Sequence, residues 1–223
     1  SEITRNATGS TGDIEISTPR LSVPNGALVS TLIRGTGNAG DIVIKDAESI
    51  SLSSDNGELS NILSLVEFNS TGNTGNIIIE KSDTHLVDDG ARIASTIRDN
   101  GSTGNAGSVN INVRNLISLD NQATIFSTID TGSLGNSVGV QISTDSLRVN
   151  GGAQILSGNQ GSRGTAGNIL IIANDSIILG GIGEDGIPSS IASGLGPNMI
   201  TGQGGNIEIL TVLTVGLLCA GVV

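Results

Sequence analysis

The chain has 223 residues, 33 of them glycine, and a formal net charge of -11 with ten basic residues scattered singly. That balance leaves nothing to neutralise a phosphate backbone or an anionic membrane and argues against nucleic acid as a partner. Two aromatic residues, Phe68 and Phe126, cannot fill a thick core, the glycines lack the three-residue period of collagen, and Ile, Leu and Val are too plentiful for disorder. What remains is many short strands joined by glycine and asparagine turns around a narrow core.

One segment recurs seven times, with opening glycines at Gly9, Gly37, Gly72, Gly104, Gly135, Gly164 and Gly202, separated by 28, 35, 32, 31, 29 and 38 residues. Repeats of that length, each with a turn followed by a strand, are the mark of a solenoid. After each G-x-x-G turn comes an alternating strand whose inward pairs run from Ile14 and Ile16 through Ile42 and Ile44, Ile77 and Ile79, Val109 and Ile111, Val140 and Ile142, and Ile169 and Ile171 to Ile207 and Ile209. A period of two puts each pair on one face. A second strand follows, with Leu21 and Val23, Ile50 and Leu52, His85 and Val87, Ile117 and Leu119, Leu147 and Val149, and Ile177 and Leu179. It runs into a turn that ends Gly-Ala in Pro24–Ala27, Asp88–Ala91 and Asn150–Ala153, where glycine accepts a positive φ. The third strand reads small residue, any, aliphatic, any, hydroxyl, as in Ala91/Ile93/Ser95.

Three short strands per repeat predict an all-β, right-handed, single-stranded parallel β-helix over residues 1–209, with about seven coils that begin near 9, 37, 72, 104, 135, 164 and 202. At roughly 4.8 Å per coil the stack would span on the order of 35 Å. Stacking places equivalent side chains above one another. Ser64, Ser95, Ser127, Ser157 and Ser193 then form a hydroxyl row, and Asp13, Asp41, Asn76, Asn168 and Asn206 a second polar row that caps backbone groups. Asp55–Leu59 and Gly180–Pro188 read as insertion loops, and Val138 and Gly139, which replace the turn glycine and its Asp or Asn, predict a distorted corner between the fourth and fifth coils. From Leu210 to Val223 the chain turns apolar for 14 residues, short of the about 20 a membrane helix needs. This reads as a terminal strand or cap, and membrane insertion is not expected. Cys219 stands alone and allows no intrachain disulfide.

The segments GTGNAGDIVIKDAESISL and STGNAGSVNINVRNLISLDNQATIFSTI resemble the degenerate repeats of filamentous-haemagglutinin-like exoproteins of two-partner secretion, abundant in cyanobacteria and other Gram-negative bacteria. The resemblance covers nearly all of residues 1–209. It implies export through an outer-membrane two-partner-secretion transporter, an extracellular or outer-surface location, and work as a non-enzymatic structural or adhesive shaft facing a cell-surface glycan or protein receptor. The piece resembles the downstream repeat region of such a protein rather than its amino-terminal export domain.

Candidate chemistry is sparse. Gly180–Pro188, GGIGEDGIP, fits the calcium-binding nonapeptide once, with Glu184 and Asp185 as weak candidate ligands, but such sites need successive copies, so no metal or other cofactor is expected. His85 occupies a slot that is aliphatic in the other repeats, close to Asp88 and Asp89, and could mark a catalytic cluster, although turn chemistry accounts for both aspartates. The alternative function is therefore a polysaccharide-binding or polysaccharide-degrading β-helix with a shallow groove. The sequence otherwise predicts no catalytic residues. A threonine array for ice is a further use of such folds, but hydroxyls recur only once per coil on the third strand.

Overall fold

The computed structural model describes residues 1–54 and 58–211, without the side chains of Lys81, His85 and Leu86. No helix occurs among the described residues, and the strands stack in parallel into a β-solenoid of about six turns. A seven-stranded sheet is formed by Glu2–Ile3, Leu28–Ile33, Asn61–Val66, Arg92–Ile97, Thr124–Ile129, Gln154–Asn159 and Ser190–Leu195. A nine-stranded sheet carries the first two legs of each coil, from Ile14–Ser17 at one end to Ile207–Thr211 at the other. Of the seventh repeat, only its opening turn and first leg fall within the described residues, and the tail from 212 to 223 lies outside them.

The two legs are not separate strands throughout. In the first two complete coils they are divided by Pro19, which cannot continue a ladder, and by Asp46, whose φ is +58°. In the next four they fuse into the bent strands Ile77–Asp88, Ala106–Leu119, Ser137–Val149 and Asn168–Leu179. There the corner is turned by register irregularities, such as the one between Asn112 and Leu116, because no proline interrupts the chain. A third, narrow ladder links Thr8, Thr36, Thr71, Thr103 and Leu134 at the residue before each opening glycine and continues in Arg163–Thr165 paired with Thr201–Gln203.

Alternation along the strands explains the core. Ile42, Ile77, Val109, Val140 and Ile169 stack in register with Ile14 and Ile207, and Ile44, Ile79, Ile111, Ile142 and Ile171 stack beside them. Most are wholly buried, and each buried aliphatic side chain contributes about 1.5–3 kcal/mol. Ile62, Ile93, Ile125 and Ile155 close this cluster from the seven-stranded sheet, while Ile33, Val66, Ile97 and Ile129 form a smaller one with Ala39 and Ala106. Neither phenylalanine belongs to either cluster: Phe126 is half-buried and Phe68 is 42% exposed.

The stack runs unbroken through Val138 and Gly139. Ser108, Gly139 and Asn168 stay in register, Gly139 adopts a φ of +128°, and its N–H donates to Ser127 Oγ at 3.3 Å. The corner is locally unusual because glycine supplies a backbone angle denied to other residues. The distortion predicted at this corner is confined to that backbone angle, and pairing with the coils on either side continues through it.

Candidate functional site

The hydroxyl row lies inside the solenoid, between the two aliphatic clusters. Thr31, Ser64, Ser95 and Ser127 are wholly buried and Ser157 nearly so. The G-x-x-G turns approach the third strand here, and their backbone groups need partners away from water. Thr31, Ser95, Ser127 and Ser193 donate to the carbonyls of Gly40, Gly75, Gly107 and Gly167 at 2.8–3.0 Å. Ser64 Oγ instead accepts from Gly75 N at 2.8 Å and from Thr31 Oγ1 at 3.0 Å. Ser157 meets Ser137, a member that the strand pattern did not reveal, at 3.1 Å.

The second polar row caps the following coil. Asp13 Oδ1 accepts from Asp41 N at 2.8 Å, Asp41 Oδ1 from Asn76 N at 2.7 Å, Asn76 Oδ1 from Ser108 N at 2.9 Å, and Asn168 Oδ1 from Asn206 N at 2.8 Å. Gly139 has no side chain to extend it. A parallel exposed ladder escaped the sequence reading: Asn38, Asn73, Asn105 and Asn136 each accept, through Oδ1, the N–H of the equivalent residue one coil on, at 2.8–3.0 Å. Its signal is the asparagine directly after the opening glycine in four repeats.

Of the residues read as a cluster around His85, Asp88 and Asp89 serve a turn. His85 pairs through its backbone with Ile50 and Ile117, and its side chain lies outside the described residues. Asp88 and Asp89 stand in a tight turn closed by Ala91 N donating to Asp88 O at 3.1 Å. Both carboxylates accept from Asn121 Nδ2 of the next coil, at 2.9 and 3.2 Å. They cap a turn stack.

Gly180–Pro188 folds as a small hairpin, with an antiparallel bridge between Ile182 and Pro188 and Gly183 N donating to Ile187 O at 2.8 Å. It lies against Gln122 and Gly152 of the preceding coils. Asp185 Oδ1 accepts from Ile187 N at 2.9 Å, so one of its oxygens serves the turn. Among the described residues no group of three or more His, Cys, Asp or Glu is placed to hold a metal ion. Of the other insertion, residues 55–57 lie outside the described part.

A charged ladder also crosses the coils at the end of the seven-stranded sheet. Arg34 Nε donates to Glu67 Oε1 and Arg34 Nη1 to Glu2 Oε1, both at 2.8 Å, and Arg98 Nε lies 3.7 Å from Asp130 Oδ2. The hydrogen bond to Glu67, with the charge of both carboxylates, raises the Arg34 pKa above its ordinary value against a smaller opposing effect of burial. Burial pushes the Asp130 carboxyl above its usual range, and Arg98 only partly offsets this. At the same corner Phe68 has a φ of +65° and Asn69 one of +59°. A positive φ is uncommon for a bulky residue and costs about 1–2 kcal/mol. The guanidinium carbons of Arg5 and Arg34 lie 4.4 and 5.3 Å from the ring centroid. This constellation joins residues far apart in sequence and needed the coil register to be seen.

Fold and surface together define a parallel β-solenoid whose most regular polar features are internal ladders and turn caps. Searches against protein-family models, curated proteins and solved structures find no match.

Proposed function

We propose that this chain is a shaft segment of a secreted or cell-surface filamentous exoprotein, with a structural or adhesive rather than an enzymatic role. The observation that carries the reading is that identical positions stay in register from coil to coil, so that backbone and side-chain ladders run along the axis. Such a stack resists bending and adds about 4.8 Å of reach per coil. The conspicuous acidic and hydroxyl side chains are engaged in holding adjacent coils together. The likeness of the repeats to two-partner-secretion exoproteins supports export through an outer-membrane transporter and exposure on the outer face of a Gram-negative cell.

Antibodies raised against the folded chain test this on intact cells that produce it. Surface labelling without permeabilisation is the expected result. Labelling only after the envelope is opened would contradict the reading.

A further inference from the structure

We propose that the notch between Asn6 and Phe68 binds a neutral saccharide unit; the proposal deepens the adhesive reading and rests on it. The notch arises from a missing turn. Four residues separate Ile3 from Thr8 and Val66 from Thr71, but only Arg34 and Gly35 separate Ile33 from Thr36. The corner turn that projects from the coils on either side is therefore absent in the coil between them. A side chain on Gly35 could not fill the gap, because a Cβ there would lie 2.2 Å from the carbonyl oxygen of Ala7.

The walls carry saccharide-binding chemistry. Phe68, 42% exposed and held at positive φ, presents the part of its ring that the guanidiniums leave uncovered as an apolar surface for the C–H face of a sugar ring. Arg5 is held over that ring at 4.4 Å and makes no ion pair among the described residues, which leaves its planar fork of N–H donors for adjacent hydroxyls. Asn6 and Asn69 add exposed amides, each able to donate and accept. Arg34 is committed to Glu2 and Glu67. Arg34 faces both carboxylates and the Asp99 carboxylate accepts from Phe68 N at 3.2 Å, so even with Arg5 the notch has no net positive charge, and the acidic chain around it repels polyanions. That balance selects a neutral sugar. The strained aromatic is a stability cost at a position where the turn asks for Asn or Gly, as expected of a residue kept for contact rather than for folding.

The test is calorimetric titration of the full chain with maltoheptaose and lactose-series oligosaccharides, alongside sialyllactose and oligogalacturonate. Binding of at least one neutral oligosaccharide is expected, insensitive to salt and weakened about tenfold by Phe68→Asn or Arg5→Ala. Phe68→Asn removes the ring but retains a residue that tolerates positive φ, so an undiminished melting temperature separates lost contact from lost fold. Failure to bind any neutral probe, affinity unchanged by both substitutions, or preference for the acidic probes with steep salt dependence would overturn the site. A chain that labels the cell surface but binds no saccharide loses this site and keeps the proposed role; one that binds saccharide but stays inside the cell does the reverse.

Discussion

Two corners of the coil both use glycine, for different reasons. At the G-x-x-G corner a Cβ on Gly72 would lie 1.6 Å from the carbonyl oxygen of Gly37, and one on Gly104 1.8 Å from that of Gly72. Neighbouring coils touch backbone to backbone there, and no side chain fits. At the turn after the second leg, a Cβ on Gly90 would meet only the tip of Leu59, at 3.2 Å. At Gly90 the turn demands positive φ alone, and the fourth repeat fills it with Asn121 and Gln122 at φ of +48° and +65°; at Gly152, against the Gly180–Pro188 hairpin, a Cβ is also excluded by backbone, at 2.6 Å from Gly183 Cα. The first corner sets how closely coils can stack, and the second only redirects the chain.

Substitution breaks the comparison most directly. Gly72→Ala must push two coils apart and should cost about 4 kcal/mol or more, whereas Gly90→Ala should cost about 1–2 kcal/mol for the backbone angle. Urea unfolding of the two variants measures both, and equal losses would mean that the corners do not differ as described. The next largest effect belongs to the hydroxyls that bind the tight corner to the third strand. Ser95→Ala leaves the buried Gly75 carbonyl without this donor and should destabilise by about 1–3 kcal/mol. The corresponding loss on the exposed asparagine ladder is smaller: Asn73→Ala removes the acceptor of Asn105 N, but water can replace it, and about 0.5–1 kcal/mol is expected.

The tight corner was the most legible part of the sequence, because steric exclusion of every side chain but hydrogen leaves glycine at the opening position of all seven turns, while the second glycine gives way once, to Val138. The aliphatic ladders were legible for a related reason, since a period of two assigns Ile42 and Ile44 to one face without knowledge of their neighbours. Features that depend on the pairing between coils were not. Arg34 with Glu67, and Arg98 with Asp130, meet only when coils of unequal length are brought into register. The asparagines after the opening glycines read as ordinary turn residues, although their carboxamides bridge coils. Asn159 shows the limit of pattern most clearly. It occupies the slot of Ile33, Val66, Ile97 and Ile129, is wholly buried, and donates to Gly135 O at 2.7 Å while accepting from Gly161 N at 2.9 Å. Nor did the pattern place Phe68, which stands at an exposed corner with the only two guanidiniums that lie over a ring among the described residues.

The smallest predicted effect concerns pH and the charged ladder beside the corners. The folded-state pKa of Asp130 lies above its ordinary value, so the native protein binds more protons than the unfolded chain over the interval between the two. The contribution of this group to stability therefore falls as pH rises through that interval, and the penalty persists above the folded pKa. Asp130→Asn should remove that decline, so that the variant gains on the parent from acidic toward neutral pH when urea midpoints are compared. A constant difference across the range would show that Asp130 is not held in an environment that disfavours its charge.

The central claim is a parallel stack in which one coil adds one strand spacing. Paired spin labels at Glu15 and Gln141, and at Glu15 and Glu208, measure it directly in a Cys219→Ser background. Glu15 and Gln141 occupy equivalent outward positions four coils apart, and Glu15 and Glu208 six coils apart. Dipolar spectroscopy should return backbone separations of about 19 and about 29 Å, narrow and proportional to coil number. Broad distributions, or distances that do not scale with the number of coils, would contradict the stacked solenoid.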